Sequence, residues 1–451
     1  MTFIATTARQ PEPAGHQSRT KTIVGTGVGN ALEWFDWGVF AIFAPFFATQ
    51  FFNPKNPVSA FLSTLVVFAV GFAARPLGGF LFGWLADHRG RKFAMAATVA
   101  ASAVGSLAIG VAPTYGSVGV LASAVLVVAR LVQGLAHGGE LPSAQTYVSE
   151  FAPRQSRGLW SSLIYVSGTL GNVVGVLVGA ILSTVLTKAD MQSFGWRIPF
   201  LIGGLFGLYA LVMRARLHET EQFTQTVAKP KARPRVWPEI VRHRRQAIQV
   251  IGMTVGMTVA FYTWAIAAPA HAIAALGINA KHALWAGVAA NLVFIAVLPL
   301  WGALSDRIGR RPVLVIGVLG TALVSFPLNA YLKDSAVQLL VSMSVALVFI
   351  AACAAIVPAV YAELFPTHIR TIGVGIPYSI CVALFGGTAP YLQAWLGTSV
   401  GPSAFTTYVV VLLLVSVAVV LTVPETRGRD LDDPVLDVRG LDADPVSATT
   451  V

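Results

Sequence analysis

Gly83-Trp84-Leu85-Ala86-Asp87-His88-Arg89-Gly90-Arg91-Lys92 returns later in the chain as Gly302-Ala303-Leu304-Ser305-Asp306-Arg307-Ile308-Gly309-Arg310-Arg311. Each copy lies between two long apolar blocks, in equivalent loops. A second echo pairs Glu150, Pro153 and Arg157 with Glu363, Pro366 and Arg370 at one constant spacing. Two independent echoes describe a chain made of two similar halves. An aspartate favours one helix terminus and an arginine can bridge to it. Gly83, Asp87, Arg91, Asp306, Arg310, Glu150, Arg157, Glu363 and Arg370 therefore read as parts of a conformational gate rather than as ligands.

The apolar blocks decide the solvent. Hydrophobic residues fill 55% of the 451 positions and charged residues only 11%, where a soluble chain carries about 25% charged residues. The blocks run to about twenty residues or more, the length that crosses a hydrocarbon core about 30 Å thick. Hydropathy places twelve of them near 22–52, 57–86, 92–112, 117–149, 158–187, 196–213, 246–275, 282–303, 312–332, 335–362, 370–397 and 402–424. The expected architecture is an all-α membrane protein of twelve transmembrane helices in two pseudo-symmetric six-helix bundles. Its parts are a tail at 1–21, a first bundle at 22–213, a linker at 214–245, a second bundle at 246–424 and a tail at 425–451.

Charge placement gives orientation. With the N-terminus in the cytoplasm, 24 of the 31 Lys and Arg residues fall on the cytoplasmic side, as short positive loops do. Both termini are expected there. The net charge of +11 is spread between blocks rather than gathered in a groove-sized patch, so no nucleic-acid partner is expected. The N-terminal stretch has no apolar core before a cleavage site and does not read as a signal peptide. The acidic end from about Arg427 reads as a disordered tail. Cys353 and Cys381 lie within apolar blocks, without disulfide or zinc spacing, and no metal or cofactor is expected.

The loop pattern Gly-x-Leu-Ala-Asp-x-x-Gly-Arg-Lys resembles the signature of the major facilitator superfamily. Gly29-Asn30-Ala31-Leu32-Glu33-Trp34-Phe35-Asp36, Arg75-Pro76-Leu77-Gly78-Gly79, Gln133-Gly134 with Gly138-Gly139-Glu140, Gly195-Trp196-Arg197-Ile198-Pro199-Phe200 and Phe365-Pro366-Thr367-His368-Ile369-Arg370 are similar to the metabolite:H+ symporters. That branch holds bacterial proline/betaine, α-ketoglutarate, citrate and shikimate permeases. The resemblance runs from about residue 22 to 426. It implies proton-driven uptake by alternating access in a bacterial inner membrane, by a protein that works as a monomer. Leu141 stands where the family usually has an aromatic residue, and the C-terminal coiled coil of osmosensing members is missing. Regulation by osmolality is therefore not expected.

Ionisable side chains at membrane depth cost about 2.5–3.5 kcal/mol or more, so each one points to function. Glu33 and Asp36 stand three apart in span one, on one helical face, and are candidates for proton coupling; the plainer alternative is an ion pair with an arginine of a neighbouring helix. Arg75 lies twelve residues before Asp87, or about 18 Å from the end of span two. That depth suits substrate capture, and a guanidinium can hold a carboxylate by two bonds; pairing with Glu33 or Asp36 is the alternative. Arg130 with Gln133 and Gly134 resembles the Arg-x-x-Gln-Gly pattern of proton-coupled relatives, which makes it a proton-coupling candidate; orienting the helix by hydrogen bonds is the alternative. Glu140 joins the proton-coupling candidates. His137, one turn before it, can relay protons with Glu140 or line the substrate site with Gln133; a packing histidine is the favoured reading. Tyr262, Trp264 and His271 are candidate lining residues of span seven, or members of an interfacial belt.

Gly168, Gly171, Gly175 and Gly179 form a small-residue face for close helix crossing. No Gly-Pro pair of the antiporter kind occurs in that span, which favours uptake. Gly25-x-Gly27-x-Gly29 has no preceding strand and is helix packing, not a nucleotide loop. The expected function is a proton-coupled symporter for a mono- or dicarboxylate. A carrier of betaine- or proline-like zwitterions is the nearest rival, and a non-transporting solute sensor a weaker one. No enzyme activity is expected.

Overall fold

The computed structural model describes residues 19–431 apart from 90, 139, 216–237, 239 and 240; the side chains of 19–26, 86, 87, 91, 92, 140–144 and 213–215 are left aside. Among these residues every regular element is helical, and eleven helices are long and apolar enough to cross a membrane. We label the spans α1 (Arg19–Phe51), α2 (Pro57–Arg89), α3 (Arg91–Val111), α4 (Val120–Ala136 continuing in Glu140–Phe151), α5 (Arg157–Val185), α6 (Lys188–Val212), α7 (Arg244–Ala275), α8 (Ala280–Ile308), α9 (Arg310–Tyr331), α10 (Ala336–Leu364), α11 (Arg370–Ser399) and α12 (Pro402–Thr422). The shorter α4 completes the twelve. The linker expected at 214–245 falls largely outside the described residues.

Two spans change pitch midway, which hydropathy cannot show. In α7 the turn Tyr262–Ala267 is a π turn, and the helix resumes at Ala268–Ala275 with Pro269 in its first turn. Pro269 has no N–H for the carbonyl four residues earlier, that of Ala265. A buried carbonyl must find another donor. Asn172 of α5 supplies one at 3.0 Å and Asn291 of α8 a second at 3.3 Å. The α11 turn Val382–Gly386 is likewise a π turn, followed by Pro390 at the start of the next segment. The two wide turns meet: a Cβ on Gly386 would lie 2.8 Å from the Tyr262 ring.

Small residues set how closely spans cross. A Cβ on Gly171 would stand 1.8 Å from the Ala31 carbonyl, so the α5 glycine face does pack on α1. On the other side of the bundle Gly134 and Gly138 of α4 lie against the carbonyls of Gly71 and Arg75 of α2 at 2.1 and 2.0 Å from the added Cβ. This crossing fixes the backbone that carries Arg130, Gln133 and His137. Overpacking typically costs about 1–3 kcal/mol, and the atoms met here are backbone and cannot turn away. Gly134→Val is therefore expected to lower the melting temperature of the purified protein clearly, whereas a change at Gly397, where an added Cβ meets nothing within 4 Å, should not.

Arg197, at the edge of span six, donates to the carbonyls of Gly110 and Ala112 at 2.9 and 2.8 Å and so closes the end of α3. Beside it Trp196 is fully buried among Phe47, Phe51 and Phe200.

Candidate functional site

Glu33, Asp36 and Trp37 face one way from α1, because residues three and four apart share a helix face. Ser102 and Ser106 of α3, four apart, meet them. Ser102 Oγ donates to Asp36 Oδ2 at 2.8 Å, and Ser106 Oγ to Asp36 Oδ1 at 3.1 Å. Glu33 instead accepts from Arg75 Nη2 of α2 at 3.1 Å and has His137 Nδ1 of α4 at 3.9 Å. The two carboxylates thus have separate partners. They still line one cavity, with Thr98, Ser102, His137, Gly203 and Gly207.

The polar contacts continue into α4. Gln133 Nε2 donates to Ser106 Oγ at 2.8 Å and its carbonyl accepts from Arg130 Nη1 at 2.8 Å. Arg130 is fully buried. Its Nε and Nη2, like Nε of Arg75, have no hydrogen-bond partner among the described residues. Both guanidinium groups share the Trp37 ring, Arg75 at 4.2 Å and Arg130 at 4.1 Å from its centroid. Cation–π contact offsets part of the desolvation of a buried cation. Unused N–H groups in a buried place still cost about 1–3 kcal/mol each.

A second cavity lies between the halves and is aromatic. Trp34, Tyr165, Met257, Thr258, Phe261, Tyr262, Tyr361 and Tyr378 line it. Trp34 meets Tyr165 and Phe261 edge-on, and Tyr262 meets Phe72 of α2. Trp264 and His271 are half-buried and do not line it.

The loop motifs gather at one end of the bundle. Asp306 Oδ1 and Oδ2 accept from the backbone N–H groups of Gly158 and Leu159, both at 2.9 Å, which caps the start of α5 from α8. Arg310 binds Asp306 at 2.7 Å and approaches Glu363 at 3.6 Å; Arg157 binds Glu363 at 2.9 Å. Arg370 binds Glu150 at 2.6 Å. Asp306, Arg310, Glu363 and Arg370 of the second half thus meet Glu150, Arg157 and the start of α5 of the first. The first copy is not in the same surroundings: an added Cβ on Gly83 meets nothing within 4 Å, while one on Gly302 would stand 2.6 Å from the Gly158 carbonyl. The side chains of Asp87, Arg91 and Glu140 lie outside those described.

One expectation is corrected here. The chain beyond Arg427 has left the helix but stays packed against the bundle as far as Leu431. Val423, Thr426 and Leu431 are buried, Thr426 donates to Glu363 at 2.6 Å, and Glu425 accepts from the N–H groups of Arg310 and Arg311. The carbonyls of Gly428, Arg429 and Leu431 accept from Arg154, Arg157 and Arg370. Composition cannot register order that comes from main-chain carbonyls meeting distant arginines.

Glu363 stands between two arginines, so its removal strands positive charge in a buried place. Glu363→Gln is expected to lower thermal stability. Arg157→Gln in the same chain should restore part of the loss, with a coupling of about 0.5–3 kcal/mol in a double-mutant cycle.

Long apolar spans in two pseudo-repeated halves, with a buried charged cluster inside the first half and an aromatic cavity between the two, are the architecture of a membrane transporter. Residues 22–250 match the family described as "Sugar (and other) transporter", and residues 250–437 match "Major Facilitator Superfamily". The chain is 36% identical to the α-ketoglutarate permease of Escherichia coli K12 over 413 residues, 89% of this chain and 93% of that one. It is 32% identical to a putative proline/betaine transporter of Staphylococcus haemolyticus over 92% of this chain and 90% of that one. Among solved structures, a D-xylose-proton symporter superposes with a TM-score of 0.71 at 20% identity, over 91% of this chain and 99% of that one. A partially occluded, inward-open xylose transporter XylE from E. coli gives 0.68 at 18%, over 91% and 98%. The chain belongs to the major facilitator superfamily and is a multi-span membrane transporter.

Proposed function

We propose that this transporter is a proton-coupled symporter that imports a small mono- or dicarboxylate. The observation that carries the reading is a buried cluster in which Arg75 and Arg130 keep unused guanidinium N–H groups beside two carboxylates, Glu33 paired with Arg75 and Asp36 held by two serine hydroxyls. An anion satisfies the first and a proton the second. Because Arg75 is held by Glu33, a proton on Glu33 removes the charge that holds it and leaves its fork open to a substrate carboxylate. Proton and anion then favour one another's binding, which is the linkage a symporter needs. The paired arginines and acids at the loop end act as the gate, and the chain works as a monomer in a bacterial inner membrane with both termini in the cytoplasm.

A second reading is favoured by the aromatic cavity. Its lining holds no charged side chain, and rings such as Trp34 and Tyr262 suit the cationic head of a betaine- or proline-like zwitterion. Thermal-shift titration of the purified protein separates the two, since a ligand that binds only the folded state stabilises it. Stabilisation by carboxylates and not by betaine or proline is expected. The reverse ranking would replace the carboxylate reading with the zwitterion one.

A further inference from the structure

We propose that Ser102 and His137 form a proton relay from Asp36 to Glu33, so that a proton taken up at one carboxylate unlocks Arg75 by arriving at the other. This rests on the proton-coupled reading above and names the route inside it. Ser102 Oγ is the shared atom: it lies 2.8 Å from Asp36 Oδ2 and 3.1 Å from His137 Nε2. The other ring nitrogen, Nδ1, faces Glu33 Oε1 at 3.9 Å, a gap that the transfer step has to shorten to hydrogen-bond range. Glu33, Ser102 and His137 are buried, while Asp36 is half-buried. Asp36 is therefore the entry and Glu33 the terminus.

The chemistry suits the groups. A hydroxyl donates and accepts at once, and a neutral imidazole accepts at one nitrogen while giving from the other. With Asp36 ionised, Ser102 donates to it. Once Asp36 holds a proton, its O–H donates to Ser102 Oγ and the serine hydrogen turns to Nε2 of His137. In transfer the Asp36 O–H bond breaks, Ser102 gains that hydrogen and passes its own to Nε2, and the Nδ1–H bond breaks as Glu33 gains the proton. Asp36 ends ionised, Glu33 neutral, and the imidazole neutral in its other tautomer; the reverse path resets it when the proton leaves. Among the described residues the charged groups around the ring are Glu33 and Asp36 from α1, Arg75 from α2 and Arg130 from α4. Of the two arginines, Arg75 is the one whose partner the transfer changes, because it is paired with Glu33.

Infrared difference spectroscopy after rapid acidification of the whole purified protein tests the route without any solute. The carboxyl band of Glu33 is assigned by its loss in Glu33→Gln. Ser102→Ala and His137→Phe are each expected to slow the rise of that band about a hundredfold, in the range that a positioned proton-transfer group supplies. The pH at which the band is half formed should stay put, and Ser102→Thr, which keeps the hydroxyl, should keep the rate. A wild-type rate in Ser102→Ala overturns the relay, as does a shifted midpoint with an unchanged rate, which marks a packing role. Absence of any Glu33 protonation in the wild type overturns it too. If His137→Phe does not fold, Ser102→Ala decides alone. Failure of the symport reading shows elsewhere, as a wild-type protein whose solute flux moves no protons while the Glu33 band still slows in the variants.

Discussion

Glu33→Gln and Asp36→Asn, made singly, are each expected to abolish solute accumulation driven by an inward proton gradient, a fall of about a hundredfold or more, while at least one of them keeps solute exchange. The reason lies in their separate partners. Asp36 is held by two serine hydroxyls, and Asn at that position can still be hydrogen-bonded but cannot carry a proton across. Glu33 holds Arg75. Gln there mimics the protonated acid permanently, so Arg75 is released at every pH and solute exchange proceeds without a driving proton. Counterflow in vesicles, measured beside gradient-driven uptake, separates the two functions. Accumulation against a gradient in both variants would place the proton site elsewhere.

The second large effect belongs to Arg75. Truncating one member of a buried, hydrogen-bonded charge pair costs about 2–5 kcal/mol of binding, and Arg75→Ala is expected to lose that much affinity for the solute. Arg75→Lys should fail almost as badly. An ammonium makes no planar fork, and it does not reproduce the guanidinium stacked over Trp37 at 4.2 Å and Phe72 at 4.6 Å. A charge-balancing partner of Glu33 behaves otherwise: it tolerates Lys, and its loss is repaired when Glu33→Gln removes the stranded charge. Equilibrium binding to folded, membrane-inserted variants distinguishes the cases. Near-normal affinity in Arg75→Ala, or its return in the double variant, would assign the anchor to Arg130, whose Nε and Nη2 have no partner among the described residues.

Much of the fold was legible because membrane spans announce themselves. Twelve blocks, their halves and the loop echoes are periodic and long. The shared face of Glu33 and Asp36 followed from their spacing alone. What spacing could not decide was partner choice: Arg75 had two acids open to it, and only the crossing of α1, α2 and α4 assigns it to Glu33. Ser102 and Ser106 passed unnoticed since hydroxyls are common in apolar spans and can bond their own helix. Their four-residue spacing was the available signal. Trp37, four residues after Glu33, carried the same helical hint. Asn172 and Asn291 were missed because their task depends on the carbonyl that Pro269 leaves free, a fact about three helices at once. The packed stretch through Leu431 was hidden for a similar reason, since carbonyls have no sequence signature.

Proton movement with solute in the reconstituted wild-type protein tests the central claim most directly. Vesicles in weakly buffered medium are given α-ketoglutarate, then other mono- and dicarboxylates, while external pH and solute uptake are followed together. The account predicts external alkalinisation in step with uptake, accumulation under an inward proton gradient, and collapse of both on adding a protonophore. Solute that merely equilibrates, with no pH change and no response to the protonophore, would contradict it.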